Sequence, residues 1–235
     1  MDKIGIVVAM EEEKDAVKNL MKDIELEESY ELDFYKGKIE NKKCILVQSG
    51  VGKVNAARTT QILIDKYKVS KVINVGAAAS IDPMLNIGDI LIGKKVVQHD
   101  FDITAFGHSK GYITGVGNDV SCDSDWLDKI KDVVNEKRDY KVRTGIVATG
   151  DIFCTGVKLR DEIRATFKAD VVDMECGSIA QVCYLDNIPF LVIRGVSDTP
   201  NGENEKDFDK NLDLASNRCA EILKEVLHKM WKLTI

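Results

Sequence analysis

The 235-residue chain is 44% hydrophobic and 31% charged, the balance of a soluble globular protein with a sizeable core. A formal charge of −6 without a compensating basic tract excludes a general nucleic-acid surface, although a small anionic ligand remains compatible with it. The first residues are too short and wrongly flanked for a signal peptide, and no apolar run reaches membrane-spanning length.

In chain order, residues 3–9 predict an apolar strand and 11–21 a helix with an acidic start. Strand-like runs follow at 31–39 and 43–48, and Gly50-Val51-Gly52 turns the chain into a helix near 53–67. A buried-type strand at 71–75 runs into the small residues 76–79, and another strand is expected at 89–98. Residues 100–120, rich in glycine and polar side chains, have the composition of a long functional loop. An amphipathic segment at 123–136, a strand at 142–148 and a helix at 158–167 come next. A strand at Val171, a helix at 176–185 and a strand at 189–196 follow, and residues 201–205 are expected to form a flap beside Asp198. In the last helix Phe208, Leu212, Ala215, Cys219, Ile222, Val226 and Met230 recur every three or four residues, making one apolar face. Without repeats or long linkers, residues 1–235 are expected to form one α/β domain.

Cysteines 44, 122, 154, 176, 183 and 219 are scattered and form no CxxC pair, so buried, reduced thiols in a cytoplasmic protein are expected. Three dispersed histidines and no HExxH predict no metal. The Gly50–Lys53 turn has valine at positions 47 and 54, so it lacks the phosphate-loop spacing; Asn55 breaks the dinucleotide fingerprint. Gly76 and the alanines after it indicate tight packing or close backbone approach to a ligand.

The acids at strand ends carry the chemistry. Glu175 and Asp198 close consecutive strands of a strand–helix–strand unit, which favours parallel strands whose carboxyl ends share one crevice. Arg194 lies in an otherwise apolar strand and needs buried partners. Each acid also has a plainer role: Glu11, Glu12 and Glu13 complement a helix dipole, Glu175 is a first-turn acid and Asp198 a turn cap. Glu13 joins the site only if it turns over the sheet edge. Met174 reads as core packing, and Phe153 either stacks on a flat ring or packs as a satellite aromatic. No nucleophilic triad is evident.

The ordered segments AMEEE at 9–13, SGVGKVNAA at 49–57, TGDIF at 149–153, VVDMECGSIA at 171–180 and IRGVSD at 193–198 resemble one family across nearly the whole chain. They are similar to the bacterial 5′-methylthioadenosine/S-adenosylhomocysteine nucleosidases of the purine nucleoside phosphorylase superfamily. The resemblance implies a mixed, twisted central sheet flanked by helices, and cofactor-free hydrolysis of an adenine N-glycosidic bond that clears by-products of S-adenosylmethionine use. It implies Asp198 as the acid at adenine N7, Glu13 as the base for water, and Glu175 on the ribose hydroxyls. Arg194 would arrange the acids and water, Met174 would lie against the sugar and Phe153 on adenine. The Cys154 backbone would read the base edge, Ser197 would orient Asp198, and Val51 would line the ribose and 5′ region. Ala77 and Ala78 belong to the small-residue stretch beside the water. The family is typically homodimeric, which implies that Ile103 and Phe106 of 102–107 complete the partner's site.

Three positions depart from the family pattern: Ala77 stands where a serine usually helps hold the water, and Ala79 where glycine is usual. Cys154 replaces a more common aliphatic residue. A phosphorolytic enzyme, a 6-amino-6-deoxyfutalosine hydrolase and a nucleoside-binding sensor without turnover remain alternatives. A carboxylate beside the attack position disfavours phosphate.

Overall fold

The computed structural model describes residues 2–199 and 204–229. Ten strands form one sheet: β1 (Lys3–Val8), β2 (Lys22–Ser29), β3 (Leu32–Ile39), β4 (Lys42–Gln48), β5 (Lys71–Ser80), β6 (Ile90–Gln98), β7 (Val120–Ser121), β8 (Val142–Thr149), β9 (Val171–Asp173) and β10 (Phe190–Asp198). Among the described residues seven α-helices accompany it: α1 (Glu11–Lys18), α2 (Lys53–Asp65), α3 (Ser124–Lys129), α4 (Lys131–Asn135), α5 (Val157–Phe167), α6 (Cys176–Leu185) and α7 (Asn204–Lys229). The mixed α/β class is as expected.

The strand order is β10-β6-β8-β9-β5-β1-β4-β3-β2, and β10 also pairs with β5. Strands β5, β10, β6, β8 and β9 therefore close into a ring, while β1, β4, β3 and β2 extend from it as an open wing. β5 anchors both parts. It pairs in parallel with β1 and β10 and antiparallel with β9.

This topology corrects the parallel strand–helix–strand expectation. Because β9 runs antiparallel to β5 and β10 parallel to it, β9 and β10 run in opposite directions. Their ends meet because both flank one stretch of β5, with Ala79 opposite Val172 on one side and Asp198 on the other. The 76–79 segment, expected to follow its strand, is the second half of β5.

The apolar residues sort onto two faces as strand and helix periodicity demand. On one side Val17 of α1 and Cys219, Ile222 and Val226 of α7 pack on Ile6, Ile73 and Ile193. On the other, Ala56 and Leu63 of α2 and Ile179 and Cys183 of α6 pack on Val7, Val72 and Val192. All six cysteines are buried and unbridged. Strand β2 was absent from the expectations because KDIELEES is exposed along most of its length and shows no apolar period. The 100–120 segment holds a short 3-10 turn at Thr104–Phe106 and a bridge between Ile113 and Gly117. Of the expected flap, residues 201–203 lie outside the described residues, as does Met230; Asn204 and Glu205 begin α7. No helix among the described residues is long and apolar enough to cross a membrane.

Candidate active site

A cavity of about 200 Å³ opens where β5, β9 and β10 converge. Glu13, Val51, Ala77, Ala78, Phe153, Cys154, Met174, Glu175 and Asp198, all singled out from sequence, line it. Met10, Ile152, Asp173 and Phe208 join them. Arg194 and Ser197 lie behind the lining, and the cavity brings in neither Ile103 nor Phe106 of the same chain. Phe106 is instead 81% exposed.

Glu13 both caps the start of α1 and turns over the sheet edge. Its Oε2 accepts from the backbone N–H groups of Ala9 (2.7 Å) and Met10 (3.1 Å), half of a capping box at the start of α1. Its Oε1 accepts from the Ala77 N–H at 2.8 Å, which swings the carboxylate over β5 into the cavity. Burial raises its proton affinity, and nearby Arg194 and these three N–H groups only partly offset that.

Gly76 explains how Glu13 and Arg194 coexist. A Cβ there would lie 2.5 Å from Arg194 Nη1 and 2.5 Å from Glu13 Oε1. Of the two expectations at this glycine, tight packing is the one observed, against two buried charged side chains.

Arg194 is 1% exposed and finds its partners on other strands. Its Nη2 donates to Asp173 Oδ2 and to Asn74 Oδ1, each at 2.6 Å, and its Nε donates to Asp173 at 3.2 Å. Glu175 Oε2 lies 3.6 Å away. In the sequence Asp173 shows only as part of the 171–180 segment. The signal that pointed to it was the Arg194 charge itself, which demanded a buried counter-ion. Burial opposes ionisation of Asp173, but Arg194, together with the Cys176 and Thr149 hydrogen bonds, keeps its carboxyl below the usual range.

Glu175 is the N-cap residue of α6. The Gly52 N–H, presented by backbone at φ +101°, donates to its Oε1 at 3.0 Å. Burial and then the Asp173 charge push its proton affinity up to about 7, against the pull of Arg194.

Asp198 is fully buried at the end of β10. Ser197 Oγ lies 2.9 Å from its Oδ1 and 3.2 Å from the Ala78 carbonyl, and its single proton goes to the nearer carboxylate oxygen. The other oxygen accepts from Nη2 of Arg160, a side chain 1% exposed on the inner face of α5. Sequence reasoning missed Arg160, because α5 reads as an ordinary amphipathic helix. Burial raises the proton affinity of Asp198 despite Arg160 and Ser197.

At the mouth, Phe153 is 39% exposed and meets Phe208 edge-on, with centroids 5.6 Å apart. Phe153 is thus an aromatic ring at the edge of the cavity, of the kind on which a planar ligand can stack. Among the described lining residues there are four carboxylates and no lysine or arginine. The arrangement suits proton transfer at two separated points and disfavours a bound oxyanion.

Comparison with known proteins shows the family. Residues 3–228 match the model of the phosphorylase superfamily. The 5′-methylthioadenosine/S-adenosylhomocysteine nucleosidase of Staphylococcus haemolyticus is 37% identical over 225 residues, covering 95% of this chain and 98% of that protein. The solved structure of the Colwellia psychrerythraea nucleosidase of the same name, in complex with adenine, is 33% identical with a TM-score of 0.92, covering 97% of this chain and 95% of that one. A Helicobacter pylori futalosine hydrolase structure is 33% identical with a TM-score of 0.91, covering 96% and 97%. The chain belongs to the 5′-methylthioadenosine/S-adenosylhomocysteine nucleosidases, N-glycosidic-bond hydrolases within the phosphorylase superfamily.

Proposed function

We propose that the protein hydrolyses the C1′–N9 bond of 5′-methylthioadenosine and S-adenosylhomocysteine, releasing adenine with methylthioribose or S-ribosylhomocysteine. The observation that carries this reading is the placement of Glu13, Glu175 and Asp198 around one cavity beside an exposed aromatic ring. Asp198, whose burial favours the protonated form, gives its proton to adenine N7 as the C1′–N9 electron pair moves into the base. Positive charge develops on the ribose, and Glu175 stabilises it from its place beside the sugar. Glu13 takes the proton of the water whose oxygen bonds to C1′. Its three backbone donors fix the carboxylate for that task. Arg194 holds Asp173 and Glu175 in place, Phe153 stacks on the base, and Met174 and Val51 bound the sugar and 5′ substituent. The Cys154 backbone N–H meets the base edge, its carbonyl being held by Arg160.

The absence of a lysine or arginine from the described lining supports water over phosphate as nucleophile. Arg194 is already committed to Asp173 and Asn74. Ala77 has no hydroxyl for the water, a loss of about 1 kcal/mol that Glu13 alone can bear.

The enzyme is proposed to act as a cytoplasmic homodimer, with 1–235 as one catalytic unit in methionine salvage. Val54, Phe106, Ile152 and Val157, all at least 46% exposed, support an apolar contact that brings Ile103 and Phe106 to a partner's cavity. The reduced, buried cysteines fit that compartment.

The test is incubation with methylthioadenosine with and without phosphate, identifying both products by mass. Adenine and free methylthioribose without phosphate are expected. A sugar 1-phosphate formed only with phosphate would replace hydrolysis by phosphorolysis. The futalosine hydrolase likeness warrants 6-amino-6-deoxyfutalosine as a second substrate in the same assay.

A further inference from the structure

Arg160 has four hydrogen bonds and no exposure to solvent beyond 1%. Its Nε and Nη2 donate to the Cys154 carbonyl at 2.9 and 2.8 Å, its Nη1 donates to the Ser80 carbonyl at 3.2 Å, and Nη2 also reaches Asp198 Oδ2. One guanidinium thus joins the proposed acid to the loop that carries Phe153 and Cys154, and joins both to the end of β5. It does not line the cavity, so a base bound there meets Asp198 and Cys154 with Arg160 behind them.

We propose that Arg160 is a positioning residue for the N7 acid: it sets the acid strength of Asp198 and fixes the base-facing loop relative to that carboxyl. This rests on the reading of Asp198 as proton donor. As the proton leaves Asp198 for N7, negative charge appears on a carboxylate that already accepts from a buried cation. Preorganised charge of that kind stabilises the transition state without reorganisation. A fixed planar fork is also the geometry that holds a carbonyl and a carboxylate together, which a lysine reproduces poorly.

The other groups facing Asp198 sharpen the test. Ser197 on β10 donates to it, and Asp207 on α7 adds negative charge that favours the proton. The Cys154 thiol, on the loop after β8, is pushed up to about 11 by burial and stays neutral at working pH. Arg160 on α5 is therefore the cation that opposes burial at this carboxyl.

The experiment follows adenine release from methylthioadenosine across pH for wild type, Arg160→Gln and Arg160→Lys, with circular dichroism on each. In Arg160→Gln, kcat/KM at the optimum is expected to fall about 100-fold. One limb of the pH profile should move to higher pH by about 1–3 units while the other stays in place. Arg160→Lys, which keeps the charge, should hold both limbs at their wild-type positions and recover part of the rate. A uniform fall in rate with both limbs unmoved in folded Arg160→Gln would overturn the proposal. So would loss of fold in both variants, which would make the residue purely structural. A wild type that releases no adenine would sink the parent reading and this one together; an active wild type with unmoved limbs would sink this one alone.

Discussion

Replacing Asp173 by Asn removes one negative charge from the centre of the site with almost no change of shape. In the native protein Asp173 Oδ2 accepts from Arg194 at 2.6 and 3.2 Å and from the Cys176 N–H at 2.8 Å, while its Oδ1 accepts from Thr149 Oγ1. An asparagine can keep its oxygen toward Arg194 and Cys176 and turn its amide toward Thr149. What is lost is the charge opposite a guanidinium that is 1% exposed. Breaking a buried pair in this way costs about 3–5 kcal/mol, because the remaining ion stays desolvated. For a chain of this size the melting midpoint should fall by roughly 6–20 °C. Urea unfolding followed by circular dichroism, with the slope checked for constancy, measures the loss directly. A second readout tests the electrostatics independently. Asp173 helps hold Glu175 up near 7, so Glu175 should ionise at lower pH in the variant. The acidic limb of the activity profile should then move to lower pH. A stability loss below about 1 kcal/mol, with that limb in place, would refute the claim that Asp173 is the counter-ion of Arg194.

Glu175→Gln should trade activity for stability. The native carboxyl binds its proton more tightly than the unfolded chain does, so between about 4.5 and about 7 the native state holds more protons. The resulting destabilisation appears as pH rises through that window, reaching about 3 kcal/mol above it. The variant should be more stable than wild type by about that amount at pH 8 and equal to it near pH 4.5, as read by urea midpoints; equal stability at pH 8 would contradict the assignment. Gly76→Ala places a methyl 2.5 Å from Arg194 and Glu13, and should cost about 1–3 kcal/mol and lower turnover on the order of 100-fold. Wild-type rates would show that the Glu13 and Arg194 side chains have room to part. Asp198→Asn should cut turnover by at least about 100-fold with unchanged circular dichroism, and near-normal activity would remove Asp198 as the acid. Glu13→Gln should lower kcat far more than it raises KM; the opposite pattern would make Glu13 a binding group.

The amino-acid order alone determined the local elements and the chemical cast. Apolar runs and three-to-four spacing placed the buried strands and the long terminal helix, because burial of one face writes a period into the sequence. Glu13, Glu175 and Asp198 stood out as acids where strands end, and Arg194 as a charge in an apolar strand. Where no face is buried the signal vanished, as in the exposed β2. Only the tertiary structure decided which strands run together. The three residues of β9 carry no mark of direction, and their antiparallel pairing with β5 follows from closure of the strand ring. It also decided the partners. Glu13 meets Ala77 across 64 positions, Arg194 meets Asn74 across 120, and Arg160 meets Asp198 across 38. A buried charge announces that it needs a partner, but its identity depends on which strands become neighbours, and periodicity within one element carries no information about that.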